Sequence, residues 1–259
     1  MTTPRLFVPV TLRGRRHLEL DNGQRHYLQS VLRLREGGKV ALFDGSGWDF
    51  EACLLNFKTD GATVEILSAH PRPVSPLRIV LAQALAKSDR MDFIIQKTTE
   101  LDVAGIVPFR AQRSVSRISP ERAAVKQARW QSIAREAAEQ SGRGDIPEIL
   151  APVPFDKMLR LAGDGAARLI FWEGETQRGI RQVLHEEAAR RRQEFFVVVG
   201  PEGGLAWEEI EAATASGFVA VSLGRQVLRV ETAALAVVSV LQYELGTLGG
   251  IPGQDQPRD

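Results

Sequence analysis

The chain has 259 residues, 44% hydrophobic and 25% charged, a balance that excludes a disordered or fibrous protein and suits one or two globular domains. A formal net charge of +1 and four scattered histidines, His17, His26, His70 and His185, give no metal-ligand spacing, and the single cysteine, Cys53, excludes an internal disulfide. No apolar run nears the ~20 residues of a membrane helix, and Met1 to Arg5 carry no leader pattern, so a cytoplasmic location is expected.

Short strands are expected over 5–8, 39–43, 48–55 and 62–68, with a turn at Asp44-Gly45-Ser46-Gly47. One helix, 24–34, interrupts them, with Leu28, Val31 and Leu32 on one face. Cys53 falls in the apolar run 50–55 and is expected to be a buried structural thiol. Strands and turns at this spacing suggest a small barrel over 1–72. The stretch His70-Pro71-Arg72-Pro73-Val74-Ser75-Pro76 has three prolines in seven residues and reads as a linker.

Beyond it the pattern alternates. Strands are expected over 77–84, 106–109, 168–172, 195–199 and 219–223, and helices over 90–101, 120–140, 177–192, 207–216 and 232–245. The fold class is therefore α/β, a mostly parallel sheet with helices on both faces over 73–248. Ligands in such sheets bind outside the carboxyl ends of the strands. The tail, 249–259, is Gly/Pro/Asp-rich and is expected to be disordered.

Four stretches carry candidate chemistry. In Val199-Gly200-Pro201-Glu202-Gly203-Gly204 a buried strand meets a glycine-rich turn before a helix. Free N–H groups at such a helix start can hold a ligand, or the stretch is simply a strand-to-helix turn. It lacks the Lys-Ser/Thr of a phosphate loop and the spacing of a dinucleotide fingerprint. The second is Leu223-Gly224-Arg225-Gln226-Val227-Leu228-Arg229-Val230-Glu231-Thr232-Ala233, another strand end leading into a helix. Glu231 and Thr232 suit a helix N-terminus by dipole and capping, but Arg229 is harder to explain as structure. The helix beyond is apolar almost all round, so it fills a core or packs in a subunit interface. The third runs from Lys87 through Arg90, with Ser88 or Asp89 as helix cap. The fourth is Glu139-Gln140-Ser141-Gly142-Arg143, a polar helix end stopped at Gly142.

Charge is uneven along the chain: +2 over 1–72, +3 over 73–150 and −4 over 151–259. Arg110, Arg113, Arg117, Arg122, Lys126, Arg129, Arg135 and Arg143 crowd one stretch, with Glu121, Glu136 and Glu139 interleaved. The run is either a face for a polyanion or a solvated helix surface of mixed charge.

In combination and in this order, the four stretches resemble the ribosomal RNA small-subunit methyltransferase E family of the SPOUT class, from about Arg5 to Leu245. The run His26-Tyr27-Leu28-Gln29-Ser30-Val31-Leu32-Arg33 is similar to that family's PUA-like RNA-binding barrel. The resemblance implies a C-terminal trefoil-knotted parallel-sheet domain, a homodimer, and methylation of N3 of one uridine in 16S ribosomal RNA, free or in the assembled small subunit. It implies S-adenosylmethionine (SAM) among three loops: Phe171, Trp172 and Glu173; Gly200, Pro201, Glu202, Gly203 and Gly204; Leu223, Gly224, Leu228, Thr232 and Ala233. Arg229, Arg113 and Glu231 are then the catalytic candidates, with Arg143 of less weight, since uracil N3 must lose a proton and arginine stabilises the resulting charge. Arg5, Arg33, Lys87, Arg90 and Arg143 are the RNA-binding candidates.

The chain departs from the family pattern at Arg225 and Gln226, where proline and arginine are usual, at Asp102, where glycine is usual, and at Ala206, where a capping serine is usual. Three other readings remain open: an RNA-binding protein with this fold, a methyltransferase acting on another RNA, and an α/β enzyme holding a phosphate at Gly200–Gly204.

Overall fold

The computed structural model describes residues 3–72, 75–115, 118–186 and 191–250. They form two compact units, Met1–Val74 with Ala138–Ile146, and Ser75–Ala137 with Pro147–Asp259. Among the described residues no helix is long and apolar enough to cross a membrane. The tail beyond Gly250 and Arg117 of the basic run lie outside the described residues.

The first unit is a five-stranded sheet built from β1 (Arg5–Phe7), β2 (His17–Leu20), β3 (Lys39–Phe43), β4 (Trp48–Phe57) and β5 (Ala62–Pro71). The order is β1-β3-β4-β5-β2, an open path with β1 and β2 at its ends. Alternation places Leu42, Phe50, Ala52, Leu54, Val64 and Leu18 in one core, together with Leu12 and Leu28. Cys53 points away from it and is only half-buried, because the pleat turns Ala52 and Leu54 inward. The strand β5 runs on to Pro71, opposite Trp48, so the proline-rich stretch begins as strand. A proline is tolerated there because it ends the strand.

The expected helix is short. Asp21 caps α1 (Asn22–His26), its carboxylate accepting from Gln24 N at 2.8 Å while Gln24 Oε1 accepts from Asp21 N at 3.1 Å. A π-helical turn, Tyr27–Val31, follows, closed by Leu32 N donating to Tyr27 O. The wider turn rotates Val31 off the core face and leaves it 60% exposed, while Leu28 stays buried. Arg33 then adopts a left-handed φ of 51°.

The second unit is a parallel sheet. Its elements are β6 (Arg78–Ala84), α2 (Ser88–Glu100), β7 (Gly105–Arg110), α3 (Pro120–Ser141, of which Ala138 onward counts with the first unit), β8 (Glu148–Ile149), β9 (Val153–Pro154), α4 (Phe155–Leu159), β10 (Ala167–Phe171), α5 (Ile180–His185), β11 (Glu194–Val199), α6 (Trp207–Ala215), β12 (Val219–Val221) and α7 (Val230–Leu245). The order is β12-β10-β11-β6-β7-β8, with β9 also on β7. Phe195, Val197 and Val199 face one side, and Phe196 and Val198 the other, all buried, as a strand covered on both faces requires. Burying each such side chain contributes about 1.5–3 kcal/mol.

Helix α7 buries Val230, Ala234, Val237, Val238 and Leu241 along one stripe; Tyr243 on another face is 66% exposed. Neither Glu231 nor Thr232 caps it: the helix starts at Val230 with Arg229 at the N-cap and no side-chain cap bond. Ser88 and Asp89 likewise lie inside α2, whose N-cap is Lys87. The expected helix over 177–192 begins only at Ile180, since Glu175 Oε1 holds the N–H groups of Gln177 and Arg178 in a turn and Gly179 bridges to Ser222. Residues 187–190 of that stretch are outside the described residues.

Candidate functional site

Strands β10, β11 and β12 end level with one another. Phe171, the last residue of β10, pairs with Val199 and Val221, the last residues of β11 and β12. The three following loops therefore leave one edge of the sheet together. The chain leaving β11 must also pass β10 to reach β12, so the strand order reverses there, the place where open α/β sheets form a crevice. A cavity of about 490 Å³ lies among these loops, wholly within the second unit.

The first wall is Phe171, Trp172 and Glu173. Trp207, at the start of α6, braces Trp172 with ring centroids 5.6 Å apart. The second wall is Gly200, Pro201, Glu202 and Gly204. Gly204 has φ +71°, and a side chain there would run into the Glu173 carboxylate. At Gly200 a Cβ would lie 2.9 Å from Leu205 Cγ. Glycine at both positions lets the loop turn tightly and bring its backbone against the cavity. The third wall is Leu223, Gly224, Leu228, Arg229 and Ala233, joined by Ser222, Arg225, Gln226, Val227 and Val230.

Charge in the site is organised around Arg90. Its Nη1 donates to Glu202 Oε1 at 3.0 Å, and its Nε lies 3.9 Å from Glu231 Oε2, at ion-pair distance but beyond a hydrogen bond. The backbone N–H of Lys87 also donates to Glu202 Oε1, at 3.2 Å. Glu202 Oε2 and Glu231 Oε2 are buried without hydrogen-bond partners. Buried acceptors left unsatisfied are costly, so they point to a ligand group that donates to them or carries positive charge.

Glu209 fastens the glycine-rich loop from behind. It is buried, and its Oε2 accepts from Ala206 N and its Oε1 from Gln112 N, each at 2.9 Å. One carboxylate thus ties the start of α6 to the loop after β7. It makes the N3 half of a capping box, and Ala206 has no side-chain oxygen to make the other half. The same loop after β7 carries Arg113, whose Nη1 donates to Gly203 O at 3.4 Å.

The structure gathers most of the expected cofactor residues around the cavity and leaves two off its wall. Gly203 backs onto Arg113, and Thr232 is exposed on α7. Of the catalytic candidates, Arg229 lines the cavity, Glu231 adjoins it through Arg90, and Arg113 sits on the far side of the glycine loop. Arg90, expected at RNA, lines this cavity. Sequence reasoning missed its pairing with Glu202 and the bridging role of Glu209. The only signal was position, since Arg90 lies in the first turn of the helix following a strand end.

The other RNA candidates separate into two kinds. The Arg5 guanidinium donates to both Asp49 oxygens, at 3.0 and 2.7 Å, and to Arg143 O, and it stacks on Phe43. Arg143 is 8% exposed and pairs with Asp145 at 2.9 Å. Both belong to the first unit and are paired within it, and neither is among the residues lining the cavity. Arg33 and Lys87 are exposed. In the basic run, Arg122 is exposed and Arg129 is held by Asp92 at 2.7 Å.

Comparison with known proteins agrees with this geometry. A family model described as the RNA methyltransferase domain matches residues 73–242, and one described as the RNA methyltransferase PUA domain matches residues 20–67. The chain is 30% identical over 228 residues to a Bacillus subtilis protein named ribosomal RNA small subunit methyltransferase E, covering 87% of this chain and 89% of that one. It is 34% identical over 226 residues to the Synechocystis protein of the same name, covering 86% of this chain and 72% of that one. Among solved structures, a ribosomal RNA small subunit methyltransferase E from Neisseria gonorrhoeae, bound to SAM, superposes with a TM-score of 0.86 at 33% identity, covering 95% of this chain and all of that one.

Proposed function

The chain belongs to the ribosomal RNA small subunit methyltransferase E family, and from that premise we propose that it uses SAM to methylate N3 of one uridine in 16S ribosomal RNA. The observation that carries the proposal is the cavity among three loops at the ends of β10, β11 and β12, with Arg90 held between two carboxylates beside it. SAM supplies an electrophilic methyl group. The cavity fits such a molecule: glycine-rich backbone can read the adenine edge, Phe171 and Leu228 offer apolar surface, and Glu202 has a buried oxygen free to meet positive charge.

The protein's main task is to orient the uridine. The N3 proton must also leave, and Glu231, which adjoins the cavity through Arg90, is the candidate base. Arg229, exposed on the cavity wall, stabilises the negative charge that spreads onto the uracil oxygens. Arg113 assists from the rim behind Gly203. Exposed Arg33, Lys87 and Arg122 meet RNA phosphates, whereas Arg5 and Arg143 keep the first unit's frame.

The finer family features are part of the proposal: residues 1–72 as a PUA-like RNA-binding domain, 73–248 as the catalytic domain, a trefoil knot through the C-terminal loops, and a cytoplasmic homodimer. Half-buried Leu235, Ala236 and Val240 with exposed Tyr243 on α7 support the dimer. Calorimetric titration tests the cofactor. SAM and S-adenosylhomocysteine are expected to bind one site per chain and ATP not to compete. Competition by ATP or inorganic phosphate in place of SAM would return the site to a phosphate-binding enzyme.

A further inference from the structure

A second cleft, of about 230 Å³, lies in the first unit between the loop Leu12–Arg15 and strands β4 and β5. At about 30 Å³ per water, that is room for several waters or one flat heterocycle. We propose that it binds an unpaired base of the RNA substrate, an inference that rests on the RNA methyltransferase reading.

The cleft is rigid. Leu12 is fully buried, and its N–H donates to Asp44 Oδ2 at 2.8 Å. Arg15 N donates to Leu12 O at 3.0 Å, closing a turn that needs φ +80° at Gly14. Arg16 O accepts from Ile66 N at 2.8 Å, so the loop is pinned at its other end. Across the cleft, the β4–β5 register slips between Glu51 and Ala52, leaving Leu67 without a partner on β4 and 50% exposed. Bulges of this kind re-aim a side chain and recur beside functional sites.

Its lining suits a base with its phosphates. Arg13 lies over the Trp48 indole, 4.7 Å from the ring centroid, forming a flat ledge beside Leu67. Bases stack on aromatic rings and on guanidinium planes alike. Arg15 and Arg16 are exposed on the same loop, with no acidic residue between Thr11 and His17; Glu65 pairs with Arg16 at 3.3 Å. The loop precedes the span matched by the PUA family model. An apolar, aromatic cleft rimmed by arginines complements single-stranded RNA better than duplex, whose bases are stacked away.

Fluorescence anisotropy on the full chain tests this, with a labelled unstructured ten-nucleotide RNA and its abasic counterpart as probes. The base-bearing strand is expected to bind at least about fivefold tighter than the abasic one. The variants Arg13→Ala and Leu67→Glu, both at exposed positions, remove that preference and leave SAM affinity unchanged. Arg15→Glu weakens both strands and flattens the salt dependence. Equal binding of the two strands by the unaltered protein, or variants that still discriminate, would overturn the proposal. So would displacement of RNA by poly-glutamate that the same variants abolish, since the cleft would then read an acidic protein. Absence of SAM binding would fail the methyltransferase reading by itself, while the oligonucleotide titration still reports on the cleft.

Discussion

Replacing Glu209 by alanine removes one side chain that holds two loops. Ala206 N is buried, so losing its acceptor costs about 1–3 kcal/mol, while Gln112 N is partly exposed and recovers most of its loss from water, at about 0.5–1 kcal/mol. The sum, about 1.5–4 kcal/mol, is large for one buried helix residue. Glu209→Gln keeps one acceptor oxygen and turns an amide against the other N–H, so about 1–2 kcal/mol is expected. Urea unfolding at pH 7 orders the three proteins. Calorimetry should then show SAM binding at least about tenfold weaker in the alanine variant, because the loop Gly200–Gly204 loses its anchor. An alanine variant within about 0.5 kcal/mol of the unaltered protein, or one destabilised yet binding SAM normally, would refute the clamp.

Four further outcomes follow from the structure. Gly204→Ala puts a side chain at φ +71°, and although the exposed Glu173 carboxylate can swing aside, the strained loop should bind SAM at least about tenfold more weakly in calorimetry while the protein still folds. Asp102→Gly should stabilise by about 0.5–1 kcal/mol in urea unfolding, because Asp102 ends α2 at φ +66° in a Schellman turn, Val103 N bonding Thr98 O. Burial acts to raise the Asp44 pKa, but hydrogen bonds from Ser46 and from the backbone N–H groups of Leu12 and Ser46 outweigh it and hold the pKa below its ordinary value. That stability is present above about pH 4 and fades as pH falls through the lowered value, so thermal melts should find Asp44→Asn least stable relative to the parent at pH 7, with the gap narrowing in acid. Arg122→Glu should weaken RNA binding and reduce its salt slope in filter binding; Arg129→Glu should do so less cleanly, since it also breaks the pair with Asp92.

Much of the second unit is legible because its signals are local. Buried parallel strands such as Phe195-Phe196-Val197-Val198-Val199 are plain apolar runs, and Gly200–Gly204 announces the turn that follows. What stayed hidden depends on partners distant in sequence. His17–Leu20 becomes a strand through pairing with Ala62–Glu65, though His-Leu-Glu-Leu is too short to stand out. Val31 fits a helix stripe, but the π turn carries it to solvent. Arg90 reads as a free cation until Glu202, 112 residues later, is brought against it. The pairing of Arg5 with Asp49 and of Arg143 with Asp145 is equally out of reach of the sequence pattern.

The most direct test is transfer of a labelled methyl group from SAM to small ribosomal subunits that lack the modification, followed by nucleoside analysis. The label is expected in 3-methyluridine at a single 16S position, and to disappear with Arg229→Ala or Glu231→Gln. Label in another nucleoside, or none despite tight SAM binding, would contradict the assignment of uridine N3 in small-subunit RNA as the methyl acceptor.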